Sequence, residues 1–175
     1  FGVTPDHYLV MNFDAFVGFI DAIGGIEVDL PEELKTPDDE VLFPAGKQWL
    51  DGEQALQLAR IRKKYSALVR INHQTLILLS VFRRLQDPAV LANLPAVIET
   101  LRGAVVTDVT PQQVSNALCV LVQLEESDLH FSAPPGELIR DGEEYIPSLR
   151  REMQIFTWDE AFTRWMQEAL ADGMP

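Results

Sequence analysis

The sequence predicts a mixed α/β (α+β) domain on three observations. Short stretches rich in branched and aromatic residues, such as residues 6–12, read as strands. Longer stretches repeat apolar residues at helical spacing. The two kinds are interspersed along residues 1–175, with no internal repeat or low-complexity segment between them, so the chain reads as a single domain. Its 175 residues suffice to bury a core, and 47% hydrophobic against 23% charged residues excludes wholesale disorder.

The elements follow in order. After the strand at 6–12, Phe13, Phe16, Val17, Ile20 and Ile23 mark one face of a helix that Gly24-Gly25 stops. Residues 26–30 (IEVDL) alternate as a half-buried strand closed by Pro31. Residues 31–40 form an acidic loop, and 41–46 a short extended piece and turn. Asp51 with Gln54 reads as an N-cap and capping box for a helix from Glu53 to about Ala59. A longer helix covers about Leu68 to Leu85. Asp87-Pro88 opens another, ending near Arg102-Gly103, and Thr110-Pro111-Gln112-Gln113 opens one to about Glu125. Residues 129–132, 144–146 and 153–156 read as short strands. Thr157 to Glu160 reads as a capping box for a last amphipathic helix carrying Phe162, Trp165, Met166 and Leu170.

Charge is distributed unevenly. Between Gln54 and Gln86 lie seven of the fourteen Lys and Arg residues and no Asp or Glu, while the other seven face all twenty-seven acidic residues. An acidic chain that gathers its cations in one window points to an anion site there, and arginine's planar fork grips phosphate oxygens in pairs. The net charge of −13 argues against broad nucleic-acid binding. Cys119, in an apolar stretch, reads as a small buried hydrophobe, with no spacing that suggests a metal site. The apolar runs are too short to span a bilayer.

The run Asp6 to Phe16, then residues 20–29 (IDAIGGIEVD), then residues 43–56 (FPAGKQWLDGEQAL) with Ala59-Arg60-Ile61-Arg62, resembles the LytR-CpsA-Psr family, also described as a cell envelope-related transcriptional attenuator domain. Order and spacing match over roughly residues 3–85, and the remainder is compatible with the end of that domain. The resemblance implies a central sheet flanked by helices around a polyprenyl pocket, in a protein attached to the membrane and facing outward. It implies phosphotransfer of a glycopolymer from a polyprenyl-pyrophosphate lipid carrier to a cell-wall glycan acceptor, with Mg²⁺ at the pyrophosphate. It also implies that Arg60, Arg62, Arg70 and Gln74 grip the pyrophosphate. Arg70 and Gln74 share a face if both lie on one helix, whereas Arg60 and Arg62 converge only if the chain leaves the helix between them. Two positions depart from the family pattern: Ala67 replaces an Asp and His73 an Arg. On this resemblance the chain is the C-terminal portion of the domain, with the membrane anchor, the metal carboxylates and a further Arg upstream of Phe1; its catalytic residues stay unknown.

Other residues admit plainer readings. Lys63 and Lys64 read as solvated charges, His7 and His130 as structural, and Gly24-Gly25 as a turn lacking any phosphate-loop pattern. His73 is either structural or, when protonated, a phosphate contact. Asp38, Asp39 and Glu40 read as a solvated acidic loop. The apolar stripes at 76–85, 90–101 and 114–122 are core first and lipid-channel lining second. Two rival functions remain open: a non-catalytic polyprenyl-phosphate binding module, and transcriptional attenuation, which the acidic charge opposes.

Overall fold

The computed structural model describes residues 4–172 except 37, 62–66, 102, 130 and 132–133, with backbone only for 67–70, 100, 141, 154, 171 and 172. Helices and strands are interspersed as expected. The described strands pair two by two, in antiparallel pairs. The chain divides into two compact units, His7–Asp128 and a second formed by Phe1–Asp6 with Leu129–Pro175.

The larger unit opens with strand β1 (Leu9–Met11) and helix α1 (Phe13–Ala22). The Asn12 side chain accepts the Ala15 amide at 2.7 Å and caps α1. Two left-handed glycines, Gly24 (φ 82°) and Gly25 (φ 83°), stop it, and the Gly25 amide closes onto the Ile20 carbonyl at 2.8 Å. Gly25 is doubly required, because a Cβ there would lie 2.4 Å from Trp49 Nε1. Strand β2 (Ile26–Leu30) then buries Ile26, Val28 and Leu30 and exposes Glu27 and Asp29, as its alternation demands.

The acidic stretch is more ordered than a loop. It holds strand β3 (Leu34–Lys35), which pairs with β4 (Val41–Phe43) across a turn where Asp39 takes φ 64°. A single residue, Leu34, anchors β3 in the core, too little for an alternation signal. Strand β5 (Gly46–Leu50), also unexpected, pairs with β2 from Ile26↔Leu50 to Leu30↔Gly46.

Helix α2 (Gly52–Arg60) has the anticipated capping box: Asp51 accepts the Gln54 amide at 2.9 Å and Gln54 accepts the Asp51 amide at 3.0 Å. Gly52 lets α2 touch α1, since a Cβ would lie 2.4 Å from the Val17 carbonyl oxygen. Helices α3 (Ala67–Leu85) and α4 (Pro88–Thr100) follow; Ile77, Val90, Leu94 and Val97 join Ile20, Ile23, Leu30, Leu50 and Leu58 in one core. Strand β6 (Val105–Thr107) pairs back to β1, a three-residue match that sequence patterns do not reveal. There His7 behaves as a structural histidine, with Nδ1 3.2 Å from Asp108 Oδ2 and Nε2 3.0 Å from Gln113 Nε2.

Helix α5 (Pro111–Leu121) corrects one expectation. Its half-buried residues are Val114, Leu118 and Leu121, a stripe at helical spacing. Cys119 lies one residue off that stripe and is exposed, not buried. The stripe predicted over 114–122 as core is therefore only partly covered.

In the second unit strands β7 (Arg140–Ile146) and β8 (Arg151–Thr157) form a hairpin in full register, longer than the two short strands expected. Arg150, at φ 50°, completes the turn. The predicted strand at 129–132 is absent at Leu129 and Phe131, while His130 and Ser132 lie outside the described residues. Helix α6 (Glu160–Asp172) starts later than the predicted box, because Thr157 remains in β8 and Asp159 accepts the Ala161 amide at 2.9 Å instead. Phe162 is buried between Trp158 and Trp165, with ring centroids 5.9 and 6.0 Å away, whereas Leu170 faces outward.

Candidate functional site

The basic window begins where α2 ends. Arg60 occupies the last turn of that helix, where a cation complements the helix dipole. At Ile61 (φ −59°, ψ 117°) the chain has left the helix, the condition under which residues 60 and 62 can converge. Arg62, Lys63 and Lys64 lie outside the described residues.

Arg60 is exposed, and among the described residues no carboxylate pairs with it. Its guanidinium carbon sits 4.5 Å from the centroid of the Phe13 ring. Gln74, exposed on α3, donates from Nε2 to the Ala59 carbonyl at 3.3 Å, which ties it to the last turn of α2, the turn that carries Arg60. The backbone of Arg70 lies one helical turn before Gln74 on α3. Its side chain is outside the described residues.

His73 takes no part in an exposed anion site. It is 5% exposed, on the side of α3 turned to the core, and burial holds its imidazole below the usual value, partly offset by the carboxylate of Glu32. Its burial favours the structural reading of His73 over a phosphate contact.

The far end of the window has a different chemistry. Arg83 engages both carboxylate oxygens of Glu126, with Nε at 2.7 Å, and this pairing depresses the Glu126 pKa. Arg84 donates from Nε to the Ile23 carbonyl at 2.8 Å, pairs with Asp87, and lies 5.5 Å from the Trp49 ring centroid. Trp49 in turn donates to the Gly24 carbonyl at 3.1 Å. Both arginines are thus engaged within the fold, Arg83 through an exposed ion pair and Arg84 through partly buried contacts. Asp38 to Glu40 form the β3–β4 turn, in which the Thr36 amide donates to the Glu40 carbonyl at 2.8 Å.

Phe13 is the participant that sequence reasoning missed. Its place on the apolar face of α1 marked it as packing, yet it is 56% exposed beneath Arg60. Nothing local in the sequence signals that pairing.

The fold is a mixed α/β domain in which, among the described residues, no carboxylate pairs with the arginine that ends α2. The chain belongs to the LytR_cpsA_psr family, which matches residues 1–157. It is 32% identical over 180 residues to the cell wall biosynthesis protein LcpA of Corynebacterium glutamicum, covering 99% of this chain and 33% of that protein. It is 31% identical over 114 residues to the polyisoprenyl-teichoic acid–peptidoglycan teichoic acid transferase TagV of Bacillus subtilis, covering 61% of this chain and 29% of that one. The chain thus spans a third or less of these relatives. The crystal structure of B. subtilis TagV has the same fold, with a TM-score of 0.73 at 22% identity, over 97% of this chain and 64% of that one.

Proposed function

We propose that this chain is the C-terminal portion of an envelope glycopolymer phosphotransferase domain, and that it binds the pyrophosphate of a polyprenyl-linked carrier. Arg60, Arg62, Arg70 and Gln74 form the clamp in this reading. The observation that carries it is the exposed Arg60 guanidinium, without a carboxylate partner among the described residues, at a helix end whose preceding residue, Ala59, accepts from Gln74, in a member of this family. A cation left unneutralised in a chain of net charge −13 is free to meet a charged ligand. Guanidinium forks neutralise the pyrophosphate, fix its orientation and stabilise charge developing as the phosphoryl group transfers to the glycan acceptor.

Mg²⁺ fits this chemistry, but among the described residues no three His, Cys, Asp or Glu side chains gather to hold it. Among the described residues no helix is long and apolar enough to cross a membrane. Attachment to the outer face of the membrane, in this proposal, is made by another segment of the full-length protein.

The test is carrier binding and glycopolymer transfer by the full-length protein and its Arg60→Ala variant. Loss of binding supports the clamp; unchanged binding removes it. A second reading, a lipid-phosphate binding module without transfer activity, is favoured by Ala67 and by the buried His73 where the family carries Asp and Arg. Carrier binding without transfer, with or without added Mg²⁺, would select it.

A further inference from the structure

We infer that Phe13 is a positioning residue for Arg60, a stacking platform that orients the guanidinium toward its anion; this rests on the clamp proposed above. A phenylalanine that is 56% exposed and opens α1 has little to gain from burial. Its placement is nonetheless well determined, because the Asn12 cap at 2.7 Å sets the first turn of α1 on which the ring stands. The ring lies 4.5 Å from the Arg60 guanidinium carbon, within cation–π range.

The chemistry of this arrangement differs from that of an ion pair. A carboxylate partner would occupy the N–H groups of Arg60 and cancel its charge. A ring attracts the cation through its π face and uses none of those donors, so they stay available to phosphate oxygens. Arginine also carries substantial rotamer entropy, and an anion that meets an already oriented side chain avoids that ordering cost. Arg84 supplies the contrast within the same molecule. It too lies near an aromatic ring, Trp49 at 5.5 Å, but its Nε donates to Ile23 and its Nη1 to Asp87, whose carboxylate offsets its charge. Arg60 keeps the ring and, among the described residues, has no carboxylate partner.

The experiment compares Phe13→Leu and Phe13→Trp in the full-length protein, alone and combined with Arg60→Ala, titrating inorganic pyrophosphate by calorimetry and measuring Tm in parallel. Phe13→Leu should weaken pyrophosphate binding by roughly two- to fivefold with little change in Tm, and Phe13→Trp should restore it. In the Arg60→Ala background, Phe13→Leu should have no further effect. Equal affinity in the Leu and Trp variants, or additive losses in the double variant, would overturn the platform role. Arg60→Ala binding pyrophosphate as well as the wild type would instead remove the clamp reading beneath it, so the two failures are distinguishable. If Phe13→Leu lowers Tm while Phe13→Trp keeps both Tm and affinity, the double-variant comparison decides between packing and positioning.

Discussion

Arg60 and Arg84 stand near opposite ends of one acid-free window, and the fold treats them in opposite ways. Arg84 reaches across to the C-terminus of α1, donating to the Ile23 carbonyl, and pairs with Asp87 at the start of α4. Arg60 rests on an aromatic ring and faces solvent without a carboxylate partner among the described residues. Both lie inside the acid-free window, but Asp87, three residues after Arg84, stands just beyond its end. A carboxylate three residues on and the distant Ile23 carbonyl engage Arg84, whereas among the described residues no carboxylate pairs with Arg60, and it is this difference that separates a fold staple from a candidate binding group.

The comparison can be broken from either side. Arg60→Ala should give the largest effect, a loss of pyrophosphate affinity on the order of ten- to a hundredfold with Tm nearly unchanged, read by calorimetry and thermal melting. Arg84→Ala should reverse that signature. Removing a donor from the Ile23 carbonyl and a partner from Asp87 should lower stability by about 1–3 kcal/mol in urea unfolding and leave pyrophosphate affinity intact. Equal behaviour of the two variants would dissolve the distinction.

His73 sharpens the boundary between core and site. Its folded pKa is depressed, so the unfolded chain binds the proton more readily, and stability falls as pH drops below the ordinary imidazole value of 6.5. His73→Gln should flatten that part of the stability–pH curve while leaving anion affinity at neutral pH unchanged; a retained slope would assign it to other groups. The smallest effect belongs to Arg83→Ala. Its bidentate pair with Glu126 is exposed, so the Tm should fall only slightly, and by less still in concentrated salt.

Legibility followed the range of the interactions. The Asp51–Gln54 box, the Gly24-Gly25 stop and the alternation of β2 were readable because each depends on residues a few positions apart. Strands β3, β5 and β6 were not. Each is short, and each exists through a partner, with β6 answering β1 from the far end of the larger unit. Cys119 was misplaced for a related reason: an apolar stretch does not tell which of its faces a helix will turn inward.

The sequence by itself determined the α/β class, the family, the caps and the positions of the basic window, since composition, spacing and capping are properties of the chain. Only the tertiary structure decided which arginines are spent. Asp87 is within local reach of Arg84, but the Glu126 carboxylate at Arg83, the Ile23 carbonyl at Arg84 and the face of Phe13 at Arg60 are brought together from distant parts of the chain, and no local pattern encodes those meetings.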